Sequence, residues 1–237
     1  MNYRLSLTLF FICAANFFCH FDLHAKENRE LLITGCARSG TAYISQVLRA
    51  CNVEVGHENM RDFGVSSWLM AVPATEAPWG PARFRYEFRH IFHQVRDPLK
   101  TISSVFTTEG AKSWTFILKH LPQISLEDSY FVRSAKYWYY WNLKAEKAAE
   151  WTYRLEDLDN LREEFEKRLG VKLDPEKWGS IPKNVNPRTT KPTRDEYFKT
   201  GKPTEFTWAD LKKELSPELY NNIRLLAQKY GYDSPKE

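Results

Sequence analysis

ELLITGCARSGTAYISQVLRACNV, residues 30–53, runs from an apolar stretch through a glycine-bounded turn into an amphipathic segment. Leu31, Leu32 and Ile33 read as a short buried strand, which Gly35-Cys36-Ala37-Arg38-Ser39-Gly40-Thr41 breaks. Ile44, Val47, Leu48 and Cys51 then recur at helical spacing, which predicts a helix. Strand, tight turn and helix in this order bring backbone N–H groups and a helix N-terminus to one point, where they hold a phosphate or sulfate.

Gly35, Gly40 and Thr41 keep the outline of a Walker loop, but no lysine stands between Gly40 and Thr41. The cation is Arg38, inside the turn. Nucleotide-loop geometry is therefore expected without the usual lysine of phosphoryl transfer.

The following segments repeat the alternation. Val53-Glu54-Val55 reads as the end of a second strand, with Gly56-His57-Glu58 directly after it. Ligands bind beyond the carboxyl ends of strands in an open parallel sheet, so His57 and Glu58 are candidate functional groups. The alternative is that they cap the next element or bond to each other. Arg89–Val95 predicts a buried strand that ends at Arg96-Asp97-Pro98, with Asp97 as cap and Pro98 in the first helical turn. Arg96 then stands at a strand's carboxyl end, and Ser103 and Ser104 lie about two turns into the helix. An arginine and a hydroxyl so placed can hold a second phosphate; an Arg–Asp ion pair on an ordinary helix is the bland alternative.

Further on, Trp114–Leu121 predicts a short helix and Ser125-Leu126-Glu127-Asp128 the start of a long one through Ala149. The aromatics of that long helix, Tyr137, Trp138 and Trp141 among them, are expected in the core, while Trp68 and Trp79 are candidates either to line an acceptor cleft or to serve as structural aromatics. Trp151–Leu155 predicts another strand, with Asp157 capping a helix over Leu158–Leu169 that Gly170 stops. The last helical region starts at Thr207-Trp208-Ala209-Asp210 and ends at Tyr230-Gly231. Strands alternating with helices throughout predict an α/β fold, a mostly parallel sheet with helices on both faces.

Composition narrows the function classes. A chain of 237 residues, 43% hydrophobic and 27% charged, can bury one substantial core. The net charge of +4 is spread without a long basic run, which argues against a DNA- or RNA-binding arm and for local clusters that bind a small anion. Residues 1–25 carry Arg4 and the apolar run Leu5–Cys19, the pattern of a signal peptide or short signal anchor. Residues 26–237 then form a single domain, and membrane contact is expected only through the N-terminal segment, if it stays uncleaved. Cys36 and Cys51 are too far apart along the turn and helix for a disulfide. No Cys/His cluster has metal-ligand spacing, and no nucleophile elbow surrounds Ser39, Ser103 or Ser104. The basic, proline-rich Lys183–Arg194 is either a solvated connection or part of a candidate lid over residues 180–203.

Taken together, GCARSGTAYISQVL, VGHE, HIFHQVRDPLKTISS and WTYRLEDL resemble the sulfotransferase family, especially its carbohydrate and bacterial-type branches. The resemblance spans nearly all the chain after the leader, and TWADLKKEL…LAQKYGY is similar to the tail of the second branch. It implies a three-layer P-loop-like fold and 3′-phosphoadenosine-5′-phosphosulfate (PAPS) as donor, whose sulfuryl group goes to a hydroxyl or amine, with no tightly held metal. Arg38, Ser39, Gly40, Thr41 and Ala42 match the 5′-phosphosulfate loop, with Arg38 as its cation. Arg96 and Ser104 match the 3′-phosphate pair, Ser103 being a neighbour, and Arg188 falls in the loop that closes over the nucleotide in relatives. The family's glycine-rich nucleotide signature is missing there. Family bases are a Glu or a His, which makes Glu58 the first candidate, His57 the second and His93 the third. The acceptor, whether a sugar, a phenol or a peptide tyrosine, is not specified by these motifs. With a functional leader, the resemblance implies a secretory-pathway site, the Golgi lumen or outside the cell; without one, the cytoplasm. A P-loop kinase or hydrolase, for which Asp97 would supply the Mg²⁺ carboxylate, and a catalytically silent sulfotransferase-like binding protein are the rival readings.

Overall fold

The computed structural model describes residues 25–183 and 205–235. The leader and most of the candidate lid, Arg188 included, lie outside them. Strand β1 (Glu27–Gly35) leads through the glycine turn to helix α1 (Thr41–Ala50). Two short strands follow, β2 (Val55–His57) and β3 (Gly64–Ser66), then the long β4 (Tyr86–Val95). Helices α2 (Pro98–Thr108), α3 (Ala111–His120) and α4 (Tyr130–Ala148) precede β5 (Trp151–Arg154). Helices α5 (Arg162–Leu169), α6 (Pro175–Trp178), α7 (Trp208–Glu214) and α8 (Pro217–Lys229) complete the described chain.

The five strands form one parallel sheet in the order β2-β3-β1-β4-β5. This is the predicted α/β architecture, with helices on both faces of the sheet. β1 is central, and its Leu31, Leu32 and Ile33 are fully buried because both faces are covered. On one face Leu31, Ile33 and Phe92 pack with Ile44, Val47 and Leu48 of α1 and Phe165 of α5. On the other, Ile102 and Val105 of α2 meet Tyr137, Trp138 and Trp141 of α4 and Ile223 of α8. The aromatic row of α4 is thus core, as its spacing predicts. Among the described residues no helix is long and apolar enough to cross a membrane.

Several boundaries differ from the sequence expectation. The second strand begins at Val55 and takes in His57, and β3 was not foreseen. Parallel neighbours normally need a long crossover, yet only residues 58–63 join β2 to β3, because each strand is three residues long. Gly56 makes this return possible: a Cβ there would sit 1.7 Å from the Asn59 carbonyl oxygen. Helix α4 starts after Ser129, whose hydroxyl accepts from the Val132 N–H, while Ser125 and Asp128 close a separate turn. Asp157 caps no helix. It forms a two-point ion pair with Arg154 (2.6 and 2.7 Å) within a 3-10 segment, Leu155–Asn160. Helix α7 starts where expected, and the structure shows a capping box there between Thr207 and Asp210.

His93 shows what burial does inside this core. It is fully buried on β4, with Nε2 3.0 Å from Asn142 Oδ1 and Nδ1 3.2 Å from Thr152 Oγ1, so it bridges β4 to α4 and β5. Burial holds its pKa down to about 4. The imidazole is therefore neutral in the native state, and below about pH 6.5 protons favour the unfolded chain. The associated stability, about 3 kcal/mol, is complete above that pH and drains as pH falls toward 4. Between neutral pH and about pH 4.5, denaturant titration should show the wild type losing about 2 kcal/mol more than His93→Gln. Parallel losses in the two proteins would refute this.

Candidate functional site

The site lies where β1 gives way to α1, at the carboxyl end of the sheet. Two residues of the turn adopt left-handed backbone: Gly40 at φ 96° and Arg38 at φ 70°. Gly40 carries this without cost, but a side chain such as that of Arg38 pays roughly 1–3 kcal/mol there. The surroundings hold the turn in place. The Arg96 guanidinium donates to the Arg38 carbonyl at 3.0 Å, and Gln94 Nε2 donates to the Ser39 carbonyl at 2.7 Å. Gln94 is itself fixed by the Tyr153 hydroxyl (2.7 Å), while Ser39 Oγ donates to the Cys36 carbonyl at 2.7 Å. On the other side the Ala37 N–H donates to the Tyr137 hydroxyl at 2.8 Å. Turn carbonyls are thus tied back into the protein. The N–H groups of Thr41 and Ala42 open the first turn of α1, where a helix has no internal acceptors for them.

The predicted groups converge. Arg38 Nε donates to Ser104 Oγ at 3.0 Å, so the turn cation and the hydroxyl on α2 are in direct contact. Arg96, through its bond to the Arg38 carbonyl, completes a group of two guanidiniums and a hydroxyl. Ser103, its neighbour on α2, accepts instead from the Phe206 N–H at 2.9 Å, which ties down the segment before α7. Asp97 acts as the foreseen cap, accepting from the Lys100 N–H at 2.8 Å.

His57 ends β2 and Glu58 follows it, next to the start of α1. His57 Nε2 lies 3.4 Å from Thr41 Oγ1 and 3.7 Å from Glu58 Oε1. Glu58 also has left-handed backbone (φ 57°), and its Oε2 accepts from Ser67 Oγ at 2.5 Å. Among the described residues three non-glycine residues have positive φ: Arg38, Glu58 and Asn52, the last of which follows α1. Backbone strain of this kind clusters at functional sites, which keeps Arg38 and Glu58 as candidates. The His57–Glu58 contact also realises the bland expectation that these residues bond to each other, and the site and the contact coexist.

His93 is not part of this group: its two ring nitrogens are engaged in the core. Trp68 and Trp79 part company. Trp68 is buried among Phe116, Tyr137 and Trp141, whereas Trp79 is exposed, edge-on to Trp68 at 6.1 Å. The backbone of Gly80 packs directly on the Glu58 carbonyl, so Trp79 belongs to the loop that flanks Glu58. Cys36 and Cys51 are both free thiols, and burial pushes each one's pKa up, so neither behaves as a nucleophile. Among the described residues no group of three His, Cys, Asp or Glu side chains is arranged to hold a metal ion.

Sequence reasoning missed Gln94, Tyr137, Tyr153 and Ser67. Gln94 was visible as a polar residue inside an otherwise buried strand, a position that demands a partner. The other three carry no local signal.

No family model and no curated protein matches the chain. Among solved structures it is similar to the "Sulfotransferase Domain from the Curacin Biosynthetic Pathway", with 12% identity and a TM-score of 0.46 over 89% of this chain and 100% of that one. At that identity and score the likeness is one of coarse architecture.

Strain at Arg38 is directly measurable. Arg38→Gly and Arg38→Ala both remove the guanidinium, but only glycine relaxes the turn. Arg38→Gly should be more stable than Arg38→Ala by about 1 kcal/mol in chemical denaturation. Equal stabilities would mean that the turn is not strained at this residue.

Proposed function

We propose that this chain is a sulfotransferase that takes PAPS and passes its sulfuryl group to a hydroxyl or amine of an acceptor. The observation that carries the reading is the convergence of Arg38, Ser104 and Arg96 at the turn, with His57 and Glu58 next to the start of α1. An anionic donor would be gripped by the first group, while the second faces the reacting end. The motif resemblance supplies the donor's identity.

In this reading the α1 N-terminus and the turn, Ser39 to Ala42, receive the 5′-phosphosulfate, and Arg96 with Ser104 receives the 3′-phosphate. Arg38 turns from Ser104 toward the bridging oxygen as the donor enters. The acceptor oxygen or nitrogen attacks sulfur in line, the bond from sulfur to the bridging oxygen breaks, and 3′-phosphoadenosine 5′-phosphate leaves with the added negative charge. Oriented cations and amides stabilise that charge because they need no reorganisation when it develops. Glu58 takes the acceptor's proton. Ser67 holds one carboxylate oxygen, which orients the other, and His57 is the second choice because it borders Thr41. Under the same reading the apolar leader directs the chain into the secretory pathway, and Trp79 is the exposed ring that meets the acceptor.

The rival kinase reading has less support: its would-be metal carboxylate, Asp97, is spent on capping α2. Calorimetry on the purified full-length chain separates the two. 3′-Phosphoadenosine 5′-phosphate should bind the wild type, and Arg38→Ala and Arg96→Ala should each weaken it by about tenfold or more. Tight binding of ATP with Mg²⁺ in its place would overturn the reading. Glu58→Gln should keep nucleotide affinity while lowering kcat by about 10²-fold or more, measured with a panel of sugar and phenol acceptors. Unchanged turnover in Glu58→Gln beside a large loss in His57→Ala would transfer the base to His57.

A further inference from the structure

The end of the described chain reaches the site by a path that the proposed chemistry does not use. Helix α8 stops in a Schellman motif. The Gly231 N–H donates to the Gln228 carbonyl and the Tyr232 N–H to the Ala227 carbonyl, both at 2.9 Å, with Gly231 at φ 78°. This reversal throws Tyr232 back across the carboxyl end of β5. There Arg154 clasps it: one guanidinium nitrogen donates to the Gly231 carbonyl at 2.5 Å and the group lies over the Tyr232 ring at 5.4 Å, while Asp157 holds its remaining nitrogens.

Tyr232 is buried, and its hydroxyl donates to Glu156 Oε2 at 2.8 Å. Burial, reinforced by the Glu156 charge, raises its pKa, so it remains a donor at physiological pH. The other oxygen of Glu156 accepts from the backbone N–H of Asp97 at 3.0 Å. Asp97 follows Arg96, whose guanidinium holds the Arg38 carbonyl. A continuous line therefore runs from Tyr232 through Glu156 to the residue that aims Arg96. The neighbouring tyrosine takes a different route: Tyr230 donates to Glu146 on α4 at 3.1 Å and has no share in this line.

We propose that Tyr232 and Glu156 are positioning residues for the 3′-phosphate, a strut by which the C-terminal tail sets the direction of Arg96. The proposal rests on the sulfotransferase reading of Arg96. A side chain held from behind loses less freedom when it closes on an anion, so loss of the strut weakens recognition of that one phosphate rather than binding as a whole.

Two ligands isolate the effect: 3′-phosphoadenosine 5′-phosphate and adenosine 5′-phosphate, which lacks the 3′-phosphate. Their dissociation constants are measured by calorimetry on the full-length wild type, Tyr232→Phe, Glu156→Ala and Tyr230→Phe, each checked for folding by thermal melting. Wild type should prefer the doubly phosphorylated ligand by about 10²-fold. That preference should narrow by about tenfold in Glu156→Ala and by about threefold in Tyr232→Phe. Tyr230→Phe should keep it. Glu156→Gln, which retains an acceptor for the Asp97 N–H, should recover part of the loss; should Glu156→Ala not fold, Tyr232→Phe carries the test. An undiminished preference in the strut variants, or an equal narrowing in Tyr230→Phe, overturns the strut and leaves the sulfotransferase reading intact. Absence of any preference in wild type overturns both.

Discussion

Donation into the carbonyls of Arg38 and Ser39 is the constraint on which the rest of the site depends. Without Arg96 and Gln94 these two oxygens would lose the side-chain partners that tie them back into the protein. The same two bonds hold Arg38 in left-handed backbone, a conformation that a short turn could not keep alone. One donor, Gln94, lies near the end of β4 and the other, Arg96, directly follows it, so the parallel pairing of β1 with β4 is what delivers them. The register places Gly35 opposite Gln94, and a Cβ at residue 35 would lie 2.2 Å from the Gln94 carbonyl oxygen. Gly35 is therefore required by the approach of the strands, while Gly40 is required by its dihedral.

Local signals carried the cradle and long-range ones carried its support, which explains how much could be read from the chain. The strand–turn–helix order, the cap at Asp97 and the glycine stops at Gly170 and Gly231 are decided within a few residues, and each stands where expected. Arg38, Arg96, Ser104, His57 and Glu58 were nominated from three separate segments, and the fold brings them together. Tyr137 and Tyr153 were legible only as apolar bulk, since nothing nearby in sequence says that a hydroxyl is needed 100 residues away in one case and 59 in the other. β3 escaped notice because three residues are too few for a period to show. Asp157 followed a capping pattern, but Arg154, three residues earlier, offered a stronger partner in a two-point ion pair.

Charge in the site is arranged by partnership rather than by number. Neither Arg38 nor Arg96 stands alone: Arg38 Nε donates to Ser104 Oγ, and Arg96 donates to the Arg38 carbonyl. The planar guanidinium of Arg38 presents its donors in a fixed fork, so the Ser104 contact sets the orientation of the whole group, which a freely rotating ammonium would not share.

The short return between β2 and β3 also limits how this architecture can diversify. Gly56 lies under the Asn59 backbone, and Glu58 is pinned between the Ser66 carbonyl, the Ser67 hydroxyl and the Gly80 backbone. An insertion anywhere in residues 58–63 would displace the carboxylate from the turn. The stretch beyond Val72, which carries Trp79, is largely exposed, with anchors at Gly80 on the Glu58 carbonyl and at the Phe84 N–H on the Ala74 carbonyl. On the proposed reading, changes of acceptor preference would then come from the exposed side chains between these anchors, Trp79 among them, rather than from Glu58 itself.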